Sequence, residues 1–186
     1  MTKQRNVGYR PLQPQVDLPA VDHEVLAFWH DNAIFDKSLA ATADAPSWTF
    51  YEGPPTANGM PGAHHLEARV FKDLFPRYQT MRRRHVERKA GWDCHGLPVE
   101  VAVEQELGIS GKKDIEQYGV AKFNAACRES VKRHVDAFTE LTERMGYWVD
   151  MSQAYWTMDP EYVESVWWSL KQIFEAGLLV RDYRIS

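Results

Sequence analysis

Residues 48–69 constrain this chain more than any other stretch. They open on a β-prone run, Trp48 to Tyr51, and break into a Gly/Pro/Asn loop from Gly53 to Gly62. They end on His64 and His65 at the start of an amphipathic helix. A strand, a glycine-rich turn and a helix N-terminus together make a phosphate site. The loop glycines let backbone approach a ligand, and the free N–H groups and dipole of the helix end favour anions. Many such turns bind nothing, so the histidines carry weight. They place donors where a polyphosphate would lie, and imidazole can be charged or neutral near pH 7. Read blandly, the same pair caps and solvates a helix start.

A second stretch, Gly91-Trp-Asp-Cys-His-Gly-Leu-Pro-Val-Glu100, repeats the arrangement. It follows a β-prone run near His85 to Lys89 and precedes a helix that Pro98 can open at its first turn. Two consecutive strand-to-helix loops, both polar and glycine-bearing, predict an α/β fold with parallel strands and several long helices. In such a sheet, ligands bind at the carboxyl ends of the strands.

The pair Gly53-Pro-Pro-Thr-Ala-Asn-Gly59 and Gly91-Trp-Asp-Cys-His-Gly-Leu-Pro98 resembles the first half of the catalytic domain of class I aminoacyl-tRNA synthetases. The valine and leucine types share the architecture, but the Trp-Asp-Cys-His-Gly-Leu-Pro wording is similar to the isoleucine type. The resemblance runs from Tyr9 to Ile185. It implies an arm and helix over residues 1–47, and the N-terminal half of a Rossmann-like nucleotide-binding catalytic domain over 48–186. It implies ATP with Mg²⁺, isoleucine and the isoleucine tRNA as partners. The reaction implied is activation to isoleucyl-adenylate followed by transfer to tRNA.

By the same resemblance, His65 and His64 would act on the ATP phosphates, with Gly59, Pro61 and Gly62 completing the nucleotide loop. Gly53 and Pro54 would line the amino-acid pocket, and Asp93 would take the substrate ammonium, with Trp92 and His95 in support. A carboxylate at a strand end suits an ammonium. Without the resemblance, Asp93 reads as an Asx turn that orders its loop. The chain departs from the family at one place. The usual His-x-Gly-His signature is Gly62-Ala63-His64-His65 here. His64 would have to stack on the adenine or swing away, or it would supply, from two positions on, the imidazole lost at 62. In the resembled enzymes an editing domain, a Lys-Met-Ser-Lys-Ser loop and an anticodon-binding domain follow. None lies within these 186 residues, so the expectation is an N-terminal fragment, inaccurate and weak alone, completed by the missing C-terminal part. The competing reading is a non-catalytic nucleotide- or amino-acid-binding half-domain. A nicotinamide enzyme lacks its glycine fingerprint here.

The remaining elements follow from pattern. Residues 1–19, with three prolines, read as an extended arm, and 20–32 as a helix with Val21, Val25, Phe28 and Trp29 on its packing face. Residues 36–47 read as a connector. His65 to Arg83 reads as a helix with Leu66, Val70, Leu74, Tyr78 and Met81 on one face, kinked or divided at Pro76. Its basic end, Arg82 to Arg84, reads as solvated. A short helix runs from Pro98 to Leu107, closed by Gly108, and Ser110–Lys113 is a turn. Apolar positions from Val120 to Met145 recur about every 3.6 residues, predicting one long helix. Asp159-Pro160 starts a helix whose core face holds Val163, Val166, Trp167, Leu170, Ile173 and Phe174. Gly177 ends it, and Leu178 to Tyr183 reads as a strand.

Charge and cysteine content narrow the classes. With 22 basic and 26 acidic residues the net charge is −4, against a general nucleic-acid-binding surface. Two cysteines, Cys94 and Cys127, have neither metal-site nor disulfide-framework spacing and read as reduced thiols in a cytoplasmic setting. Cys94-His95 and His64-His65 read as unrelated loop residues rather than a metal site. No apolar run reaches the roughly 20 residues that span a bilayer.

Overall fold

A computed structural model describes residues 15–183 of the chain. Most of the extended arm expected over 1–19 lies outside the described residues. The elements run α1 (Leu18–Asp31), α2 (Ile34–Ala40), α3 (Ala63–Met81), β1 (Lys89–Trp92), α4 (Leu97–Leu107), α5 (Gly111–Tyr118), α6 (Val120–Ser130), α7 (Val135–Arg144), β2 (Asp150–Trp156) and α8 (Pro160–Glu175). The fold is α/β, and β1 and β2 pair in parallel.

The sheet is shifted from its expected place. Trp48–Tyr51 forms no ladder, and only Ser47 bridges His85, in parallel. The second strand lies at Lys89–Trp92 rather than from His85. Pattern does not reveal its partner β2, because Asp150-Met-Ser-Gln-Ala-Tyr-Trp156 is mixed in polarity. Its register explains why: Lys89 faces Asp150, but Gly91 faces Tyr155, so β2 bulges between them. The Asp150 carboxylate organises the bulge, accepting from the Ser152 N–H at 2.9 Å and the Ser152 hydroxyl at 2.7 Å. A bulge of this kind breaks the two-residue alternation that marks a strand in sequence.

Local end signals hold well. Pro98 and Pro160 both sit in the first turns of their helices. Gly108 caps α4 at φ +66°, and Gly177 follows α8 at φ +71°, conformations that glycine adopts without a Cβ penalty. Asp159 stands in the N-cap place but makes no side-chain capping bond. The helix around Pro76 is continuous rather than divided, and Pro76 is buried in it.

Four expectations drawn from local pattern fail. The supposed connector over 36–47 begins inside a helix, α2, and the expected turn over 110–113 runs into another, α5. The long helix over 120–145 is two helices, broken at 131–134. There the His134 N–H turns away to donate to Ala57 O in the first loop, at 3.0 Å. Leu178–Tyr183 has no strand partner and stays irregular.

The core sits under the loops. Trp92, Ala57, Cys94, Val99, Val131 and Phe138 are buried together, with Met151, Trp156 and Met158 packed on them. The expected packing faces of α3 and α8 lie outside this core. Val70, Leu74 and Met81 are exposed, and so are Val166, Trp167, Ile173 and Phe174. On α1, Val21, Val25 and Phe28 are exposed, while Trp29 is half-buried against Trp148.

Candidate ligand site at two strand-to-helix loops

The first loop leaves Glu52 and runs to α3, held along its length by other parts of the chain. Pro55 O accepts from the Asp93 N–H at 2.9 Å, which ties the first loop to the second. Ala57 is fully buried and its carbonyl takes the His134 N–H. Asn58 donates to Pro98 O at 3.3 Å. The two glycine-bearing stretches are therefore one surface, as their sequence pattern suggests. Gly59 has open space around it, since a β-carbon there would meet nothing within 4 Å, and Pro61 is half-buried beside it.

The N-terminus of α3 has a defined donor arrangement. The Gly62 N–H donates to His65 Nδ1 at 3.0 Å. Nδ1 therefore carries a lone pair, and in the neutral ring Nε2 carries the proton and can donate to an anion. The His65 ring packs edge-on against Phe138, with centroids 5.0 Å apart, and lies 3.9 Å from the His64 ring. Burial, followed by the charges of His64, Arg69 and Lys72, holds its pKa below the ordinary histidine value. The neutral form is thus favoured near pH 7.

His64 bears on the departure at 62. A β-carbon on Gly62 would lie 3.1 Å from both Cε1 and Nδ1 of His64. The imidazole of residue 64 is folded back against the space that a side chain at 62 would enter.

Asp93 is half-buried at the end of β1. Its Oδ1 accepts from the His95 N–H at 3.3 Å, so the Asx-turn geometry is formed. His95 is exposed, and its Nδ1 lies 3.0 Å from the Thr157 hydroxyl, which also accepts from the Cys94 N–H at 2.9 Å. Trp92 is 4% exposed and packs on Phe138 and Trp156. It supports the loop from beneath rather than facing a ligand. Burial pushes both Cys94 and Cys127 thiols up, which favours the protonated form.

Sequence reasoning missed the groups that hold Glu52 and Gly53. The Glu52 side chain is 5% exposed and receives Lys72 Nζ from α3 and the Tyr147 hydroxyl at 2.5 Å. Lys72 also donates to Gly53 O, and the Tyr155 hydroxyl donates to Glu52 O at 3.2 Å. Arg69, 6% exposed, lies over the Phe138 ring one turn past His65. Its position in helical step with His65 was the available signal. A groove of about 950 Å³ between α1, α2 and α7 shares no residue with either loop. Among the described residues no three His, Cys, Asp or Glu side chains gather as metal ligands.

A loop at the carboxyl end of β1, a second loop bonded to it and an anion-favouring helix end are parts that α/β nucleotide sites use. A family model for class I tRNA synthetases (I, L, M and V) matches residues 24–186, and the chain belongs to that family of ligases. It is 70% identical over 178 residues to the isoleucine–tRNA ligase of Streptomyces avermitilis, covering 96% of this chain and 17% of the relative. It is 68% identical over 186 residues to that of Thermobifida fusca, covering all of this chain and 18% of the relative. The Thermus thermophilus enzyme is 53% identical over 169 residues, covering 91% of this chain and 16% of the relative. The chain thus spans less than a fifth of the length of these curated relatives. Among solved structures, the LeuRS of Agrobacterium radiobacter K84, in a ternary complex with tRNA and LeuAMS, superimposes with a TM-score of 0.52. It is 24% identical, covering 90% of this chain and 19% of that one, a likeness of fold. No helix among the described residues is long and apolar enough to cross a membrane.

Proposed function

We propose that this chain carries the first half of an isoleucine-activating site, with residues 48–186 as the N-terminal half of the nucleotide-binding catalytic domain. Isoleucine lies against Gly53 and Pro54, its ammonium on Asp93. The ATP phosphates lie on the N-terminus of α3, with His65 Nε2 as donor and His64 beside it, along Gly59, Pro61 and Gly62. The protein's part in in-line attack of a carboxylate on the α-phosphorus is positioning and charge stabilisation. Mg²⁺ would ride on the phosphate oxygens; the described residues gather no ligand cluster for it. Transfer to isoleucine tRNA is proposed for this segment acting with the further length its relatives possess, in the cytoplasm.

The observation that carries this reading is Gly53. A β-carbon there would meet only Lys72 Nζ, at an ordinary 3.9 Å. Nothing within the fold requires a glycine at this position, whereas a ligand approaching the backbone would. Gly53→Ala is therefore expected to keep its unfolding free energy within about 0.5 kcal/mol while losing isoleucine binding. Titration of the chain with isoleucine and with ATP, followed by amide NMR shifts, tests this. Isoleucine is expected to move Gly53 and Asp93 more than valine or leucine does, and ATP to move Gly62 to His65. Shifts confined to other regions, or an alanine variant that binds isoleucine like the parent, would sink the proposal.

A further inference from the structure

Gly53 is gripped on both sides. The carbonyl of the peptide before it, Glu52 O, accepts from Tyr155, and its own carbonyl accepts from Lys72. Peptide units are planar, so holding both carbonyls fixes the two planes that meet at the Gly53 Cα. The backbone freedom of glycine is removed there without adding a side chain. The Pro54 ring follows from the second plane.

The groups that do this are themselves fixed. Lys72 is anchored by the Glu52 carboxylate, whose other oxygen takes the Tyr147 hydroxyl. Tyr147 is 7% exposed, and its phenol is pushed up by burial and then by Glu52, so it remains a donor. The Tyr155 ring lies on Gly91, where a β-carbon would come within 2.5 Å of Cζ. It also stacks on Tyr162, at 5.4 Å and 2° between planes. Gly91 stands two residues before Asp93, so one ring touches the supports of both loops.

We infer that Tyr155, with Lys72, Glu52 and Tyr147, is a positioning unit that sets the amino-acid wall at Gly53–Pro54 and its distance from Asp93. It thereby governs selection among branched aliphatic amino acids. This rests on the reading of these loops as the isoleucine site. An apolar wall separates side chains differing by one methylene only modestly, so a small displacement of the wall erodes the preference.

Tyr155→Phe removes the hydroxyl and keeps the ring on Gly91 and Tyr162. Binding of isoleucine, valine and ATP to the 186-residue chain is measured by calorimetric titration for parent and variant. The isoleucine Kd is expected to rise by about tenfold, the effect of one hydrogen bond. The isoleucine-to-valine ratio is expected to narrow and the ATP Kd to stay within about twofold. Gly91→Ala, which displaces the ring while keeping the hydroxyl, is expected to give the same split. Equal weakening of isoleucine and ATP, as a merely structural role predicts, overturns the inference, as does no change in either. A parent chain that binds ATP but not isoleucine overturns the underlying reading instead, and that result comes from the parent alone.

Discussion

The floor beneath the two loops and the outer faces of α3 and α8 treat similar side chains in opposite ways. Under the loops, Phe138 is 0% exposed, and it touches Trp92, His65 and Arg69. On α8, Trp167 and Trp168 are 67% and 64% exposed, and α3 presents Phe71 and Phe75 in the same way. Polar groups follow the same division. Glu52 is enclosed and paired with Lys72 and Tyr147, whereas the ion pair of Lys171 with Glu175 on α8 lies in solvent. The site therefore rests on contacts that this chain makes with itself. The helix faces present several large apolar side chains that the described residues do not cover. Order at the site does not depend on a cover for those faces.

The largest effect is expected on the floor side of that comparison, from Phe138→Ala. Truncating a fully buried phenylalanine costs about 4 kcal/mol, from lost transfer energy plus the cavity left behind. Since the ring also seats His65 and Arg69, the α3 N-terminus should loosen with it. Urea unfolding, with the His65 ring signals followed by NMR, checks both effects. A loss below about 1 kcal/mol would mean that the floor is not a close-packed core.

A smaller effect is expected from pH. His65 has its pKa held below the ordinary value of 6.5. The unfolded chain thus takes up this proton more readily than the folded one, and the contribution to stability is present in full above pH 6.5. It falls as the pH drops from there toward the folded pKa. Protonation of Nδ1 also removes the acceptor of the Gly62 N–H, so the α3 end should fray over the same window. A ring titration with its midpoint below 6.5 is the expected result. A midpoint above 6.5 would mean that a neighbouring carboxylate, rather than burial and like charge, dominates the site.

Legibility in the sequence divides along the same line. Signals that act within a few residues were readable: Pro98, Pro160, Gly108 and Gly177 each mark a helix end by their own backbone chemistry. The loops and His65 were readable because their residue types have a stated use at a helix N-terminus. The break between α6 and α7 was not, since its cause is a bond from His134 back to Ala57, and periodicity carries no information about that. The grip on Gly53 was equally hidden. Lys72, Tyr147 and Tyr155 lie 20 to 103 residues from Glu52, and each has an ordinary role in its own segment. The burial of Trp92 at the end of β1 was hidden too, because its neighbours in sequence are those of a polar loop. On α8 the helical spacing was real, yet spacing fixes which residues share a face and not whether anything lies against it.

The smallest effect decides whether the contrast is genuine. If Trp168 stands in solvent, Trp168→Ser removes no packing and should shift the unfolding free energy by no more than about 0.5 kcal/mol. Its consequence should appear between molecules instead. An aromatic patch this exposed favours association, so the parent should sediment as larger species as concentration rises, and the variant should do so less. The two readouts pull apart in a way that a core residue cannot imitate. A buried tryptophan would lose several kcal/mol on truncation, and its exposure would increase association rather than reduce it. A destabilisation above about 2 kcal/mol would place α8 against the chain's own core. Both regions would then belong to one packed body, and the contrast between the floor and the outer faces would fall.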